Sequence, residues 1–428
     1  MELRAIRHTL HHSRFLLKHP RALIRALVGL FRTMVLKQPR LRVIEWVINY
    51  ECDSHCVFCY ATKYNEDGKT PLSPMEIERI WLEAEKEGAF LSIILGGEPT
   101  IRPDLDEVIK AMHPERNVIV LVSNSLSLTR DRVFELKKLG VAVFHLSLDG
   151  ATPEVNDKNR GAPGHFNRVM EVVQWGKEAG IDVYFSSMLS HSNRDEFIKI
   201  LKLARSMKIG VSGALVVTQG RYEETWDERL TEKDREWIFN DLCKEYADVL
   251  RFDWNTNLTG KYECPAGREK VSISLYGEVM SCVANHLGFG SLRDESLSTI
   301  LRRTNEFTHF QDKNPKCLIS FDTEYRRKYM DSAYNAESLP INIFEHPSSP
   351  AKLVDGKMVE ASSAPELALD EETYYQQTLE SHKSPKVIDY PSNNRYSRKV
   401  LDGTSPSVLT DVKKKLGGAT TVKSHPND

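Results

Sequence analysis

Nowhere in these 428 residues does an uninterrupted apolar run reach the roughly eighteen residues of a membrane-crossing helix, so the chain is not expected to span a bilayer. An excess of either charge is also lacking. Lys+Arg number 58 against Asp+Glu 60, a formal net charge of -2 that makes no global case for nucleic acid. Cysteine is scarce, seven in all, and too unevenly placed for a disulfide-stapled secreted domain. The N-terminus does not read as a cleaved signal, and no internal repeat stands out beyond a βα unit. What the chain does have is an apolar fraction of 40%, enough for a substantial core spread over two or three domains. Three of the cysteines, Cys52, Cys56 and Cys59, fall within eight residues, which suggests ligation in a reducing compartment and a cytoplasmic location.

Short apolar runs at 43–48, 91–95, 118–122, 143–148, 183–189 and 211–217 alternate with amphipathic stretches at 74–86, 105–112, 130–139, 166–179 and 194–207. Six strands with crossover helices predict an α/β fold, a partial (β/α)6 barrel of TIM type whose active site lies at the carboxyl ends of the strands. A charged helix is expected over 232–250, and a β-hairpin over 271–282 around Tyr276-Gly277. The expected divisions are N-terminal basic helices over 1–42, the core barrel over 43–221, a linker helix over 222–255, a small α+β auxiliary domain over 256–330, and a largely disordered extension over 331–428.

Directly after the first strand, three thiols on one tight loop can face a common centre, as zinc or an iron–sulfur cluster requires. Structural zinc wants four ligands, and only His55 is near enough in sequence to be the fourth. Three cysteines suit a cubane better, one iron of which stays open for chemistry. At the end of the second strand stands Gly96-Gly97-Glu98-Pro99, where glycines let a ligand approach the backbone and a carboxylate suits a cationic amine.

With these residues the chain resembles the radical S-adenosylmethionine (SAM) superfamily. The resemblance covers roughly 43–221, about two-fifths of the chain. It rests on C-x3-C-x2-C with Phe58 before the last cysteine, the Gly96-Gly97-Glu98 triplet, Ser123-Asn124 after the third strand, Leu146-Ser147-Leu148-Asp149-Gly150 closing the fourth with Asn156, Asp157, Arg160 and Gly161 behind it, and Gln219-Gly220-Arg221 after the sixth. It implies that Cys52, Cys56 and Cys59 ligate a [4Fe–4S] cluster whose open iron is chelated by SAM. Gly96, Gly97 and Glu98 would hold the SAM amine, Asn124 and Ser147 the ribose or carboxylate side, and Arg160 the carboxylate, with Phe58 and Tyr60 near adenine. Ser123 and Asn124 also suit a plain turn after a strand, and Arg160 a surface loop. The implied activity is reductive cleavage of SAM to a 5′-deoxyadenosyl radical that abstracts hydrogen from substrate, with a reductant such as ferredoxin or flavodoxin as partner.

Cys264, Cys282 and Cys317 resemble the SPASM or twitch auxiliary extension in degenerate form. Three cysteines in place of about seven leave room for one auxiliary iron–sulfur cluster at most, with His286 or His309 as a further ligand; buried thiols in a domain that has lost its cluster are the alternative. Cys243, on an amphipathic stretch, reads as core.

Over 21–36, Arg21, Arg25 and Arg32 lie on nearly one helical side with apolar residues around the rest. Such a helix suits an anionic membrane surface, peripheral on the inner face; the alternative is a cap on the base of the barrel. From it follows the expectation of an apolar substrate, a lipid, isoprenoid or lipid-linked precursor. The competing expectations are a maturase of a ribosomal peptide or protein and a non-catalytic iron–sulfur protein.

Overall fold

In the computed structural model the described residues are 14–36, 38, 40–61, 64, 68–217, 220–222, 228–252, 264–311, 317–330, 339–346, 352–354 and 357–359. All lie in the first of two compact units, Met1–Val387. The extension expected to be disordered falls mostly outside the described residues.

Six parallel strands follow in chain order: β1 (Val43–Val47), β2 (Leu91–Leu95), β3 (Val118–Ser123), β4 (Val141–Ser147), β5 (Asp182–Leu189) and β6 (Gly210–Leu215). Crossover helices separate them, and their sequences carry their own boundaries. The first, Pro74–Glu87, opens on a capping box in which Ser73 and Glu76 exchange hydrogen bonds, and closes at Gly88 with φ +109°. Alternation sorts the strand residues. Ile44, Trp46, Ile94, Ile119, Leu121, Phe144, Leu146, Phe185 and Val211 bury against the helices. Residues of the other parity face the interior of the curved sheet; Ile93, Leu95, Val122, Tyr184, Ser186 and Met188 among them stay part-exposed, whereas Val43, Glu45, Val120, Val143 and Ser147 are buried.

The partial barrel is as expected, with two differences at its edges. The charged helix over 232–250 is shorter. It runs Glu232–Trp237, loosens into a π-helical turn at Ile238–Leu242, and ends at Cys243–Glu245, after which Leu250–Phe252 forms β7, parallel to β6. Leu250 and Phe252 carry the apolar alternation of a strand, but the run is too short to separate from the helix by periodicity. The hairpin β8 (Lys270–Ile273) and β9 (Glu278–Met280) joins the barrel sheet, because β8 pairs in parallel with β1. With β10 (Leu287–Ser291) and β11 (Ile341–Asn342) this makes one sheet in the order β11-β10-β9-β8-β1-β2-β3-β4-β5-β6-β7. Residues 339–346 are thus held against the body through Ile341, which pairs with Leu287.

The base of the barrel is closed by helix α1 (Pro20–Met34), whose Ala22 and Ala26 join Val43, Phe90, Leu91, Val118, Val120 and Val143 in a separate apolar cluster. The cap on the base, one of the two placements expected for this helix, is thus observed. Among the described residues no helix is long and apolar enough to cross a membrane.

Candidate active site

The loop after β1 carries Cys52, Cys56 and Cys59, and four neighbouring strand ends brace it. Beyond β2, the Gly97 N–H donates to the Asn49 carbonyl at 2.6 Å and the Glu98 N–H to the Glu51 carbonyl at 2.8 Å. Only glycine permits that approach. A Cβ on Gly96 would lie 2.1 Å from the Asn49 carbonyl oxygen, and one on Gly97 would lie 2.1 Å from that of Glu51. Both glycines are thus required for the close approach of the chain's own carbonyls at Asn49 and Glu51.

Glu98, expected to hold an amine, is engaged by hydrogen bonds within the chain. It is fully buried, and its carboxylate accepts hydrogen bonds from Ser123 Oγ at 2.9 Å, the Asn124 N–H at 2.7 Å, the Thr100 N–H at 3.0 Å and the Thr100 hydroxyl at 2.5 Å. It ties the end of β2 to the end of β3. Burial pushes its pKa up to about 7 against the pull of those hydrogen bonds. The folded state then keeps a proton that the unfolded chain loses near 4.5, so the associated stability is fully present below that value and is lost as pH rises through about 7. At about 1.4 kcal/mol for each pH unit, the gap amounts to on the order of 3 kcal/mol. Urea melts of iron-free protein are expected to show this fall between about pH 5 and about pH 8, and Glu98→Gln, which does not titrate, to lack it. Equal slopes in the two proteins would contradict the assignment.

Beyond β3, Asn124 Nδ2 donates to Asp53 Oδ1 at 2.5 Å and approaches Cys52 Sγ at 3.6 Å. Beyond β4, Asp149 and Arg160 form a buried ion pair, and Arg160 Nη1 lies 3.6 Å from Cys56 Sγ. Burial opposes the Arg160 charge, but Asp149 and Cys56 outweigh it and hold the guanidinium pKa above its ordinary value. The Arg160 carbonyl accepts from Ser54 Oγ at 2.7 Å and from the His55 N–H at 3.1 Å, so one residue holds the loop by both backbone and side chain. Gly161 follows with φ +57°, and a Cβ there would lie 2.5 Å from the His55 carbonyl oxygen. Beyond β6, the Arg221 N–H donates to the Cys59 carbonyl and Arg221 Nη1 to that of Cys56, each at 3.0 Å. Gln219 lies outside the described residues.

Arg160 sits 5.2 Å over the Phe58 ring, which places Phe58 on the Cys56 side. Tyr60 is turned elsewhere. It meets Tyr64 edge-on at 6.3 Å, and Tyr64 stacks on Tyr50 at 5.8 Å and meets His286 at 5.6 Å, so Tyr60 packs in a ring cluster that reaches toward the second cysteine set. His286, at the far end of this ring cluster, lies far along the chain, and no local pattern announces it. Ser147 ends β4, buried, on the interior parity.

Burial raises the Cys52 and Cys59 thiols, so they need positive charge from a bound group to become thiolates. Among the described residues no three His, Cys, Asp or Glu side chains close on one point as a single ion demands. A cubane takes each thiolate at a different iron, and the N–H groups of Asn124 and Arg160 beside two of the sulfurs are donors that such thiolates accept. The donor set fits an iron–sulfur cluster.

Cys282 follows β9, and Cys317 precedes the short helix Leu318–Phe321. Burial raises the Cys282 thiol, and Lys270, Glu45, Cys264 and Cys317 are near enough to influence it, which puts the three cysteines in one region. Sequence reasoning missed the polar group beside them. Glu45 on β1, buried, accepts from Lys270 Nζ at 2.9 Å and from Ser272 Oγ across the β1–β8 pairing. The signal was available: a carboxylate in the middle of the otherwise apolar strand VIEWV demands a buried partner.

Residues 46–204 match the family model of the radical SAM superfamily, and residues 264–319 match that of the iron–sulfur cluster-binding domain SPASM. The chain is 24% identical to the AdoMet-dependent heme synthase of Oleidesulfovibrio alaskensis over 65% of its length and 79% of that protein. It is 26% identical to the PqqA peptide cyclase of Rhizobium meliloti, over 62% and 75% respectively. The Mycolicibacterium smegmatis mycofactocin maturase MftC is also 26% identical, over 56% and 63%. The crystal structure of Streptococcus suis SuiB bound to its precursor peptide SuiA shares the fold, with TM-score 0.50 and 18% identity over 64% of this chain and 66% of that one. Taken with the braced cysteine loop at the strand ends, these matches make the chain a radical SAM superfamily enzyme with a SPASM-type auxiliary domain, its cofactors a [4Fe–4S] cluster and S-adenosylmethionine.

Proposed function

We propose that this radical SAM enzyme modifies a peptide or protein substrate, with Cys52, Cys56 and Cys59 holding the catalytic cluster and Cys264, Cys282 and Cys317 an auxiliary one. The observation that carries the site is the bracing of one cysteine loop from the ends of β2, β3, β4 and β6. When bound, the cluster supplies an electron to the SAM sulfonium, and the nucleotide becomes the hydrogen-abstracting group. The residues of the chain keep the thiolates in place. Asn124 and Arg160 donate toward sulfur, Asp149 holds Arg160, and Glu98 pins the second and third strand ends together. Ser147 and Phe58 are assigned to the nucleotide side, where the interior parity and the cysteine loop meet. The backbone carbonyls at the Gly96-Gly97 turn are the acceptors left for its amine.

Two relatives are named for peptide chemistry, a peptide cyclase and a maturase, and these support the substrate class. The apolar substrate expected from the basic helix has no comparable support. Other relatives are named heme synthases, so a tetrapyrrole is the second reading. Anaerobically reconstituted enzyme with SAM and dithionite, or a ferredoxin or flavodoxin system, is to be given in separate reactions short peptides encoded beside its gene and iron-coproporphyrin. Peptide-stimulated 5′-deoxyadenosine release with a mass change in the peptide is expected; stimulation by the porphyrin alone would reverse the order of the two readings.

Cys282→Ala is expected to lower iron content and product formation while leaving uncoupled SAM cleavage measurable, because it lies in the second set, apart from the β1 loop. Unchanged iron and turnover would remove the auxiliary cluster from the proposal.

A further inference from the structure

Helix α1 has two faces of different fate. Ala22 and Ala26 are buried on the barrel base, whereas Ile24, Leu27, Val28, Phe31 and the following Val35 are 49–61% exposed. Their spacing of three and four puts them on one side of the helix, a continuous apolar stripe turned away from the protein. Scattered single hydrophobics on a surface need no account, but a stripe of five does.

The charges around the stripe are sorted. Arg25 points inward to Glu85 and the Arg116 carbonyl, and Arg116 also holds Glu85 at 2.9 Å. Lys18 holds Asp182 at 3.0 Å. Arg21 and Arg32, one near each end of the stripe, have no ion pair among the described residues. Between Glu2 and Glu45 the sequence contains no acid at all, while arginine and lysine recur through it. A second copy seated on this face would set arginines against arginines across a two-fold axis, with no carboxylate in the element to answer them. Anionic headgroups answer them directly, with the stripe entering the acyl boundary.

We propose that the exposed face of α1 docks the enzyme on an anionic lipid bilayer, base first. Helix α1 contacts Val43, Leu91 and Val118 at the amino ends of the strands, and the cysteine loop follows the opposite end of β1. The mouth of the barrel then faces away from the bilayer. Substrate reaches it from the aqueous side, so a basic amphipathic helix here does not imply a lipid substrate. The inference is independent of which substrate the enzyme takes.

The test is flotation of the full-length, anaerobically reconstituted protein with phosphatidylcholine vesicles that either contain or lack phosphatidylglycerol. Wild type is expected to float with the anionic vesicles, to stay behind with the neutral ones, and to be released by high salt. Leu27→Glu/Phe31→Glu and, separately, Arg21→Glu/Arg32→Glu should each lower the bound fraction by about tenfold or more. All four side chains lie on the exposed face or its edge, so circular dichroism and 5′-deoxyadenosine release should match wild type. Failure of wild type to float, or equal flotation of wild type and both variants, would overturn the proposal. So would self-association in sedimentation experiments that Leu27→Glu/Phe31→Glu abolishes in protein that binds no vesicles.

Discussion

Cys56→Ala is expected to remove SAM cleavage altogether, a fall on the order of a thousandfold or more, together with the iron of the catalytic cluster. Cys56 is the middle thiol of the loop and the most buried of the three, with Ser54 Oγ 3.4 Å and Arg160 Nη1 3.6 Å from its sulfur. Two thiols cannot hold a cube at three corners, and alanine leaves a buried guanidinium facing a methyl group. The measurements are iron content after anaerobic reconstitution and 5′-deoxyadenosine released with dithionite. A variant that keeps the full iron complement and turns over SAM would remove the β1 loop as the cluster site. Because the SPASM-matching region carries its own cysteines, iron is best counted in the Cys282→Ala background as well.

Arg160→Leu is expected to cost about 3–5 kcal/mol of stability, because it leaves Asp149 buried without its cation. Asp149 is almost wholly shielded, and its other carboxylate oxygen accepts from the Met188 N–H at 2.7 Å, so the charge cannot turn toward water. Burial raises the Asp149 pKa even with Arg160 present, so the carboxylate is expected to take up a proton once that cation is gone. Asp149→Asn in the same protein should recover part of the loss, which separates an orphaned charge from lost packing. Urea denaturation of the single and double variants checks this, and additive losses would argue against the pair. The cysteine loop should loosen with it, read as slower cluster incorporation, since the guanidinium beside Cys56 Sγ and over the Phe58 ring is lost while the backbone carbonyl contacts to Ser54 and His55 remain.

The cysteine spacing and the six βα repeats were legible because both are local: C-x3-C-x2-C lies within one loop, and each strand and helix announces itself by periodicity and caps. The internal partners of Gly96, Gly97 and Glu98 were not legible, although the residues themselves stood out. Their partners Asn49, Glu51 and Asn124 come from other loops, and only the closed fold shows that the glycines make room for backbone and that the carboxylate faces inward. The same holds for Tyr60, whose ring neighbour Tyr64 packs in turn on His286 from a distant segment. Strand β7 was hidden in a helical pattern because three residues are too few to show a period of two.

From its sequence alone this protein is determined to be a βα-repeat chain with two cysteine sets and a basic amphipathic helix, since composition and spacing are properties of the chain itself. The tertiary structure decided which side of that helix is buried, which arginine is spent on Glu85, and that the helix lies at the end of the barrel opposite the cysteines. Amphipathic periodicity specifies that a face exists. Which face meets the protein is settled by what the rest of the fold places beneath it, here a floor of Val43, Leu91 and Val118 that accepts Ala22, Ala26 and part of Leu23 and leaves Ile24, Leu27, Val28 and Phe31 outside.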